Sequence, residues 1–176
     1  MDADRDPATG LLYIVFEYVD GGSVGALLRK GAIEERRALA IVAGVAEALA
    51  AAAERHIVHR DIKPDNIMLT AKGEVKLADL GLAKDCGEDM GMTLPNTVMG
   101  TPAYLSPEQA RNARDADARS DIYSLGATLY RMVTGRAPFE GETTFAVLTK
   151  IAQDPTPDPR EKNPQLSPAN LPPFPG

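Results

Sequence analysis

His59, Arg60, Asp61, Ile62, Lys63, Pro64, Asp65 and Asn66 stand in unbroken succession, so one short turn carries a carboxylate, an ammonium and a side-chain amide. Farther on, Asp79 adds a second carboxylate, followed by Leu80 and a flexible Gly81. These residue types suit phosphoryl transfer. That reaction asks little covalent chemistry of a protein. It needs one carboxylate to take the proton of an attacking hydroxyl, and an Asn with a second Asp to hold Mg²⁺ on the phosphates. The competing reading makes Asp61 and Asp79 ordinary turn residues with locally satisfied carboxylates.

Whether Asn66 and Asp79 can share an ion depends on what lies between them. Residues 67–70 and 75–78 are two short apolar runs joined through Ala71, Lys72, Gly73 and Glu74, which predicts a β-hairpin. A hairpin returns the chain and folds Asp79 back towards Asn66. Upstream, residues 11–19 are β-branched and aromatic and predict a strand, ended by Asp20, Gly21 and Gly22. A short helix over 23–30 follows, with Ser23 as N-cap. Over residues 34–55, Leu39, Val42, Ala43, Ala46, Leu49, Ala50 and Ala53 recur at helical spacing, predicting one long buried helix that delivers the chain to His59.

Downstream, Gly87, Gly91, Pro95, Gly100 and Pro102 break residues 82–107 into a long irregular segment, a length that goes with function or mobility. Residues 117–134 predict a central helix apolar on most faces (Ile122, Leu125, Ala127, Leu129, Met132, Val133), stopped by Gly135. Residues 143–153 predict an amphipathic helix through Phe145, Val147, Leu148 and Ile151. Residues 1–10 are polar and predict a loop or frayed end. More than half of the 14 prolines lie beyond Asp154, so residues 154–176 are expected to be extended or disordered. There is no internal repeat.

At 176 residues and 18.8 kDa the chain is long enough to bury one core. A net charge of −6 and a pI near 5.0 argue against nucleic acid or an anionic membrane surface as partner. Cys86 is the single cysteine, so no internal disulfide exists, which fits a reducing cytoplasm. The first five residues lack the pattern of a signal peptide. The alanine-rich run over 38–53 contains Glu47 and reads as a helix of the core rather than a membrane span.

From about Tyr13 to Ile151 the sequence resembles the eukaryotic-type Ser/Thr protein kinases, in the bacterial manner. Residues 59–66 resemble the catalytic loop, and Asp79, Leu80 and Gly81 the metal-binding Asp-Phe-Gly with Leu for Phe. Gly100, Thr101, Pro102, Ala103, Tyr104, Leu105, Ser106, Pro107 and Glu108 resemble the end of the activation segment, with Ser106 where the family usually has Ala. Residues 121–126 resemble the central-helix motif. The resemblance implies an incomplete kinase fold: a mainly α C-lobe of long buried helices, a small β-hairpin and one hinge strand. Its parts would be a loop and hinge strand over 1–20 and a C-lobe over 21–153, with catalytic loop 59–66 and activation segment 79–108. The proline-rich tail would follow over 154–176.

What the resemblance implies for single residues is specific. Asp61 would orient the substrate hydroxyl and accept its proton, and Lys63 would touch the γ-phosphate and mark Ser/Thr specificity. Asn66 and Asp79 would hold Mg²⁺. The Glu17 carbonyl and Val19 N–H would grip the adenine of ATP, Phe16 would be the gatekeeper, and Met68 would lie under the purine. Arg60 and Lys84 would clamp a phosphorylated Thr97, although Thr93 and Thr97 read equally well as ordinary loop threonines. Thr101 would hydrogen-bond Asp61 and Lys63. His59 and Asp121 would brace the catalytic loop. The partner would be a protein substrate.

The family's glycine-rich loop, strand lysine and helix glutamate precede the hinge strand, and the ten residues before Leu11 hold none of them. The family arginine that pairs with Glu108 has no match either, since Arg160 is out of place, so a weakened lobe is expected. The resemblance therefore implies a piece of a Ser/Thr kinase that shows no activity and weak nucleotide affinity alone. The alternative is a non-catalytic kinase-like module that binds a protein. A small-molecule phosphotransferase would share the Asp-x-x-x-x-Asn loop but is disfavoured by Lys63 and by the segment from Gly100 to Glu108.

Overall fold

The computed structural model describes residues 2–79, 102–112 and 115–168. Its order is β1 (Asp2–Arg5), β2 (Leu12–Val15), α1 (Val24–Leu28), α2 (Glu35–Ala53), β3 (Ile67–Leu69), β4 (Val75–Leu77), α3 (Pro107–Arg111), α4 (Ala118–Thr134) and α5 (Thr144–Gln153). Single 3₁₀ turns lie at Pro64–Asn66, Pro102–Tyr104 and Pro159–Glu161.

The two long helices, α2 and α4, pack on each other and supply most of the main core. On α2 the N–H groups of Arg36 and Arg37 donate to the Glu34 carboxylate at 2.9 and 3.0 Å, so the helix starts with an acidic cap. Its buried stripe is Ala38, Ile41, Val45, Leu49 and Ala52. This corrects the expected face. Of the residues singled out in the sequence only Leu49 is buried, and Leu39 is 46% exposed. Alanines surround this helix, so several stripes satisfy the period, and contact with α4 and β4 selects among them. The expected length holds.

Asp117 and Ser120 form a capping box at the start of α4, and Gly135 ends it in the left-handed region at φ 76°. Ile122, expected in the core, is 57% exposed, because only one flank of α4 faces α2. Two carbonyls of its last turn are met from elsewhere. Met132 accepts the Ile33 N–H at 2.6 Å, and Val133 accepts from Asn163 Nδ2 at 2.8 Å.

The hairpin between Asn66 and Asp79 forms as expected. β3 and β4 are antiparallel with Ile67 opposite Leu77, Met68 opposite Lys76 and Leu69 opposite Val75. Its turn closes through Thr70 N–H to Glu74 O at 2.9 Å and Gly73 N–H to Thr70 O at 2.8 Å, with Gly73 at φ 86°. Ser23 caps α1 by accepting from Ala26 N–H at 3.1 Å.

One region differs from expectation, and a second is anchored where its composition gave no sign of it. Residues 2–5 form β1, paired antiparallel with β2 in the register Arg5–Leu12, so the start of the chain is half of a hairpin rather than a loop. The strand expected over 11–19 is correspondingly short, and Glu17 and Val19 lie beyond it. Residues 154–168, expected to be extended or disordered, run back along the helices. Leu166 packs on the main core, Asn163 meets Val133, and the Ser167 N–H and hydroxyl donate to the Glu35 carboxylate at 3.0 and 2.5 Å. The prolines exclude α-helix there but leave side chains to anchor the segment. The smaller core, Phe139, Val147 and Ile151, joins α5 to α3 and α4 through Ala110 and Tyr123.

Candidate active site

The loop from His59 to Asn66 leaves α2 and enters β3, and α4 holds it from behind. The buried Asp121 carboxylate accepts the His59 N–H and the Arg60 N–H, each at 2.8 Å. Arg60 sits at φ 67°, a region costly to a residue with a side chain. Two charge-assisted bonds at this corner offset that cost. The Arg60 carbonyl accepts from Gln109 Nε2 at 3.0 Å.

The His59 ring, 1% exposed, donates from Nε2 to the Ala78 carbonyl at 3.0 Å, while Nδ1 accepts the Asp61 N–H at 3.4 Å. One tautomer, protonated at Nε2, satisfies both. His59 thereby ties the loop to the residue before Asp79. The Ala78 N–H in turn donates to the Asn66 carbonyl at 2.8 Å, so the hairpin brings the ends of the two motifs side by side.

Three predicted residues converge. Lys63 Nζ donates to Asp61 Oδ2 at 2.6 Å. Asn66 Nδ2 donates to the same oxygen at 2.9 Å and to the Asp61 carbonyl at 2.8 Å. Both donors meet on Oδ2, and Asp61 Oδ1 has no hydrogen bond among the described residues. The Asn66 amide nitrogen is likewise occupied and its oxygen is not. Asp79 is exposed at φ 59°, and its carboxylate takes no hydrogen bond among the described residues.

That donor set fits magnesium. The unengaged oxygens of Asn66 and Asp79 are hard ligands on adjoining backbone. No group of three or more His, Cys, Asp or Glu side chains among the described residues could hold a metal by itself. An ion at Asn66 and Asp79 would complete its shell with phosphate oxygens and water, which is how Mg²⁺ is commonly bound.

Met68 is half-buried on β3, and an isolated bridge joins it to Ser23. Glu17 is exposed and pairs with Lys76 at 3.2 Å, and Val19 is half-buried. Phe16 is 53% exposed. The Arg60 side chain has no ion pair among the described residues. Leu80, Gly81, Lys84, Thr93, Thr97 and Thr101 lie outside the described residues.

Glu108 differs from expectation. It is half-exposed, and the Ser120 hydroxyl donates to it at 2.6 Å. Burial draws this carboxyl upward, but hydrogen bonds from Ser120, its own N–H and Ser106 outweigh burial and the Asp117 charge and hold it below the ordinary value. Among the described residues its partners are hydroxyl and backbone N–H groups and no arginine. Ser106, the departure from the usual alanine, caps α3 in a reciprocal box with Gln109. Sequence reading missed Gln109, whose amide oxygen serves that cap while its nitrogen holds Arg60. The Ser106-x-x-Gln109 spacing was its signal.

The braced loop carries a carboxylate and a lysine, and two oxygen ligands of metal type flank the hairpin, an arrangement that suits phosphoryl transfer. The family model described as "Protein kinase domain" matches residues 7–169, and the chain belongs to that family. It is 45% identical over 159 residues to the "Probable serine/threonine-protein kinase PknB" of Corynebacterium glutamicum, covering 89% of this chain and 24% of that protein. It is 43% identical over 155 residues to the "Serine/threonine-protein kinase PknB" of Mycobacterium tuberculosis, covering 86% and 24%. A probable serine/threonine-protein kinase of Streptomyces coelicolor is 44% identical over 159 residues, covering 89% and 23%. The chain spans about a quarter of the length of these relatives.

Proposed function

We propose that this chain carries the catalytic lobe of a Ser/Thr protein kinase that moves the γ-phosphoryl group of ATP to a protein hydroxyl. The observation that carries the reading is the convergence of Lys63 and Asn66 on Asp61 Oδ2. It orients the carboxylate and leaves Oδ1 for the attacking hydroxyl, whose proton it accepts. Lys63 is close enough to Asp61 to bridge from it to the transferring phosphate, and its ammonium suits charge building there. Asn66 and Asp79 would hold Mg²⁺, which when bound draws charge off the phosphates. Glu17 and Val19 supply the backbone edge for adenine, with Met68 beneath it. Arg60 would meet a phosphate on Thr97 with Lys84 as second cation, and Thr101 would hydrogen-bond Asp61 and Lys63.

The substrate is a protein and the setting the cytoplasm. Among the described residues no helix is long and apolar enough to cross a membrane. A purely protein-binding role gives no reason for two side chains to meet on one carboxylate oxygen of a third.

The test is phosphate transfer from ATP to a general protein substrate by a longer polypeptide that contains this sequence together with a glycine-rich loop and strand lysine. Asp61→Asn is expected to lower the rate by about a hundredfold or more, the usual contribution of a positioned base. A rate unchanged by Asp61→Asn would refute the reading.

A further inference from the structure

The linker between the strand end at Glu17–Val19 and α1 does more than connect them. Gly21 N–H donates to the Leu69 carbonyl at 2.9 Å, Leu69 N–H donates to Gly22 at 2.8 Å, and Ser23 bridges Met68. Residues 21–23 therefore run as a third, antiparallel edge on β3. A Cβ at Gly21 would lie 2.6 Å from the Thr70 carbonyl oxygen, so only glycine allows this approach. Beyond it, Asp20 Oδ1 accepts the Ala71 N–H at the hairpin tip at 2.7 Å. On the other side Glu17 pairs with Lys76, the residue opposite Met68. Side-chain ties thus flank Met68 on both sides.

We propose that Asp20 is a positioning residue for nucleotide: its bond to Ala71 fixes the gap between the segment that meets the base, at Glu17 and Val19, and the floor that Met68 provides. This rests on the kinase reading above. The tie acts through placement. The linker crosses β3 at one end of Met68, and the Ala71 bond prevents it from sliding along the strand. A pocket wall set by backbone hydrogen bonds binds a flat base only at the right separation. The role needs a single acceptor atom and no charge, so an amide oxygen is expected to serve as well as a carboxylate.

The experiment titrates the 176-residue chain with Mg·ADP by NMR and follows the exchange of the Ala71 amide, for the unaltered chain, Asp20→Ala and Asp20→Asn. The alanine variant is expected to weaken binding about fivefold, the scale of one net hydrogen bond, and to speed Ala71 exchange. The asparagine variant is expected to restore both. Asp20 is exposed, so neither change threatens the core, and the melting temperature checks that. Binding that stays equal in Asp20→Ala while Ala71 exchange rises overturns the positioning role and leaves the kinase reading standing. Failure of the Asn variant to restore affinity overturns it as well. No Mg·ADP binding by the unaltered chain at millimolar concentration overturns the positioning role, while the kinase reading stands or falls with Asp61→Asn.

Discussion

Asp121 and Arg60 lie 61 residues apart, yet the Asp121 carboxylate accepts the Arg60 N–H at 2.8 Å and holds that residue in a left-handed conformation. The same carboxylate takes the His59 N–H, so one buried side chain on α4 sets the entry to the catalytic loop. Asp121→Ala leaves a buried and a part-buried N–H group unpaired and removes what offsets the Arg60 strain. A loss of about 3 kcal/mol in urea unfolding is expected, with faster exchange of both amides. A change below about 1 kcal/mol would mean that water replaces the brace.

Gly21 and Gly25 both sit where a methyl group would meet another atom, and the two sites give opposite outcomes. At Gly21 the obstacle is the backbone carbonyls of Leu69 and Thr70, which cannot yield without breaking the linker from β3. At Gly25 it is Asp65, whose side-chain end, with Cγ 2.8 Å away, swings aside, while its Cα at 3.3 Å need give only a few tenths of an ångström. Gly21→Ala is expected to cost about 2–3 kcal/mol and Gly25→Ala less than about 1 kcal/mol, read from denaturant midpoints at equal slope. Equal costs would show that the linker is not seated on the hairpin.

These sites also show what the sequence could convey. Asp61, Lys63, Asn66 and Asp79 were legible because their spacing is local and the hairpin between the motifs has an evident turn. Asp121 entered through resemblance to a family motif. Asp20 and Gln109 were not legible as site residues, since each acts on a backbone group about 50 residues away that no local pattern marks. The stripe of α2 was misread because alanine carries little directional signal. The anchoring of the segment after Asp154 was not legible, because proline content reports on regular hydrogen bonding and says nothing of Asn163, Leu166 or Ser167 as anchors.

Ser120 should decide the titration of Glu108. Burial pulls this carboxyl upward, and the Ser120 hydroxyl is the largest opposing influence. With Ser120→Ala the Glu108 value is therefore expected to rise, measured by carboxyl-carbon NMR titration. The stability consequence has a definite sign. A carboxyl depressed in the folded state stabilises above its unfolded value near 4.5, and that contribution is lost as pH falls through the folded value. The variant should lose its share of that acid dependence, so the two stability curves approach each other towards low pH. Curves that stay parallel would place the Glu108 interaction elsewhere.

The bond between Ser167 and Glu35 gives a second pH effect at a different place. Hydrogen bonds from the Ser167 hydroxyl and N–H lower the Glu35 carboxyl against a small opposing burial effect, and Glu35 also lies in the first turn of α2, where negative charge is favoured. Both influences favour the ionised form in the folded state. The tie is thus present above the ordinary carboxylate value of 4.5 and lost as pH falls through the lower folded value. At pH 7, Ser167→Ala is expected to speed amide exchange over residues 163–168 roughly two- to fivefold, as befits one exposed hydrogen bond. Once the pH lies below the lowered Glu35 value, the unaltered chain should exchange like the variant, with the intrinsic pH dependence of exchange divided out. Glu35→Gln keeps an acceptor for Ser167 but no charge, so its exchange should lie between the two and show no such transition. If Ser167→Ala leaves exchange unchanged at pH 7, then Leu166 and Asn163 hold the segment by themselves and the Ser167 contact adds nothing.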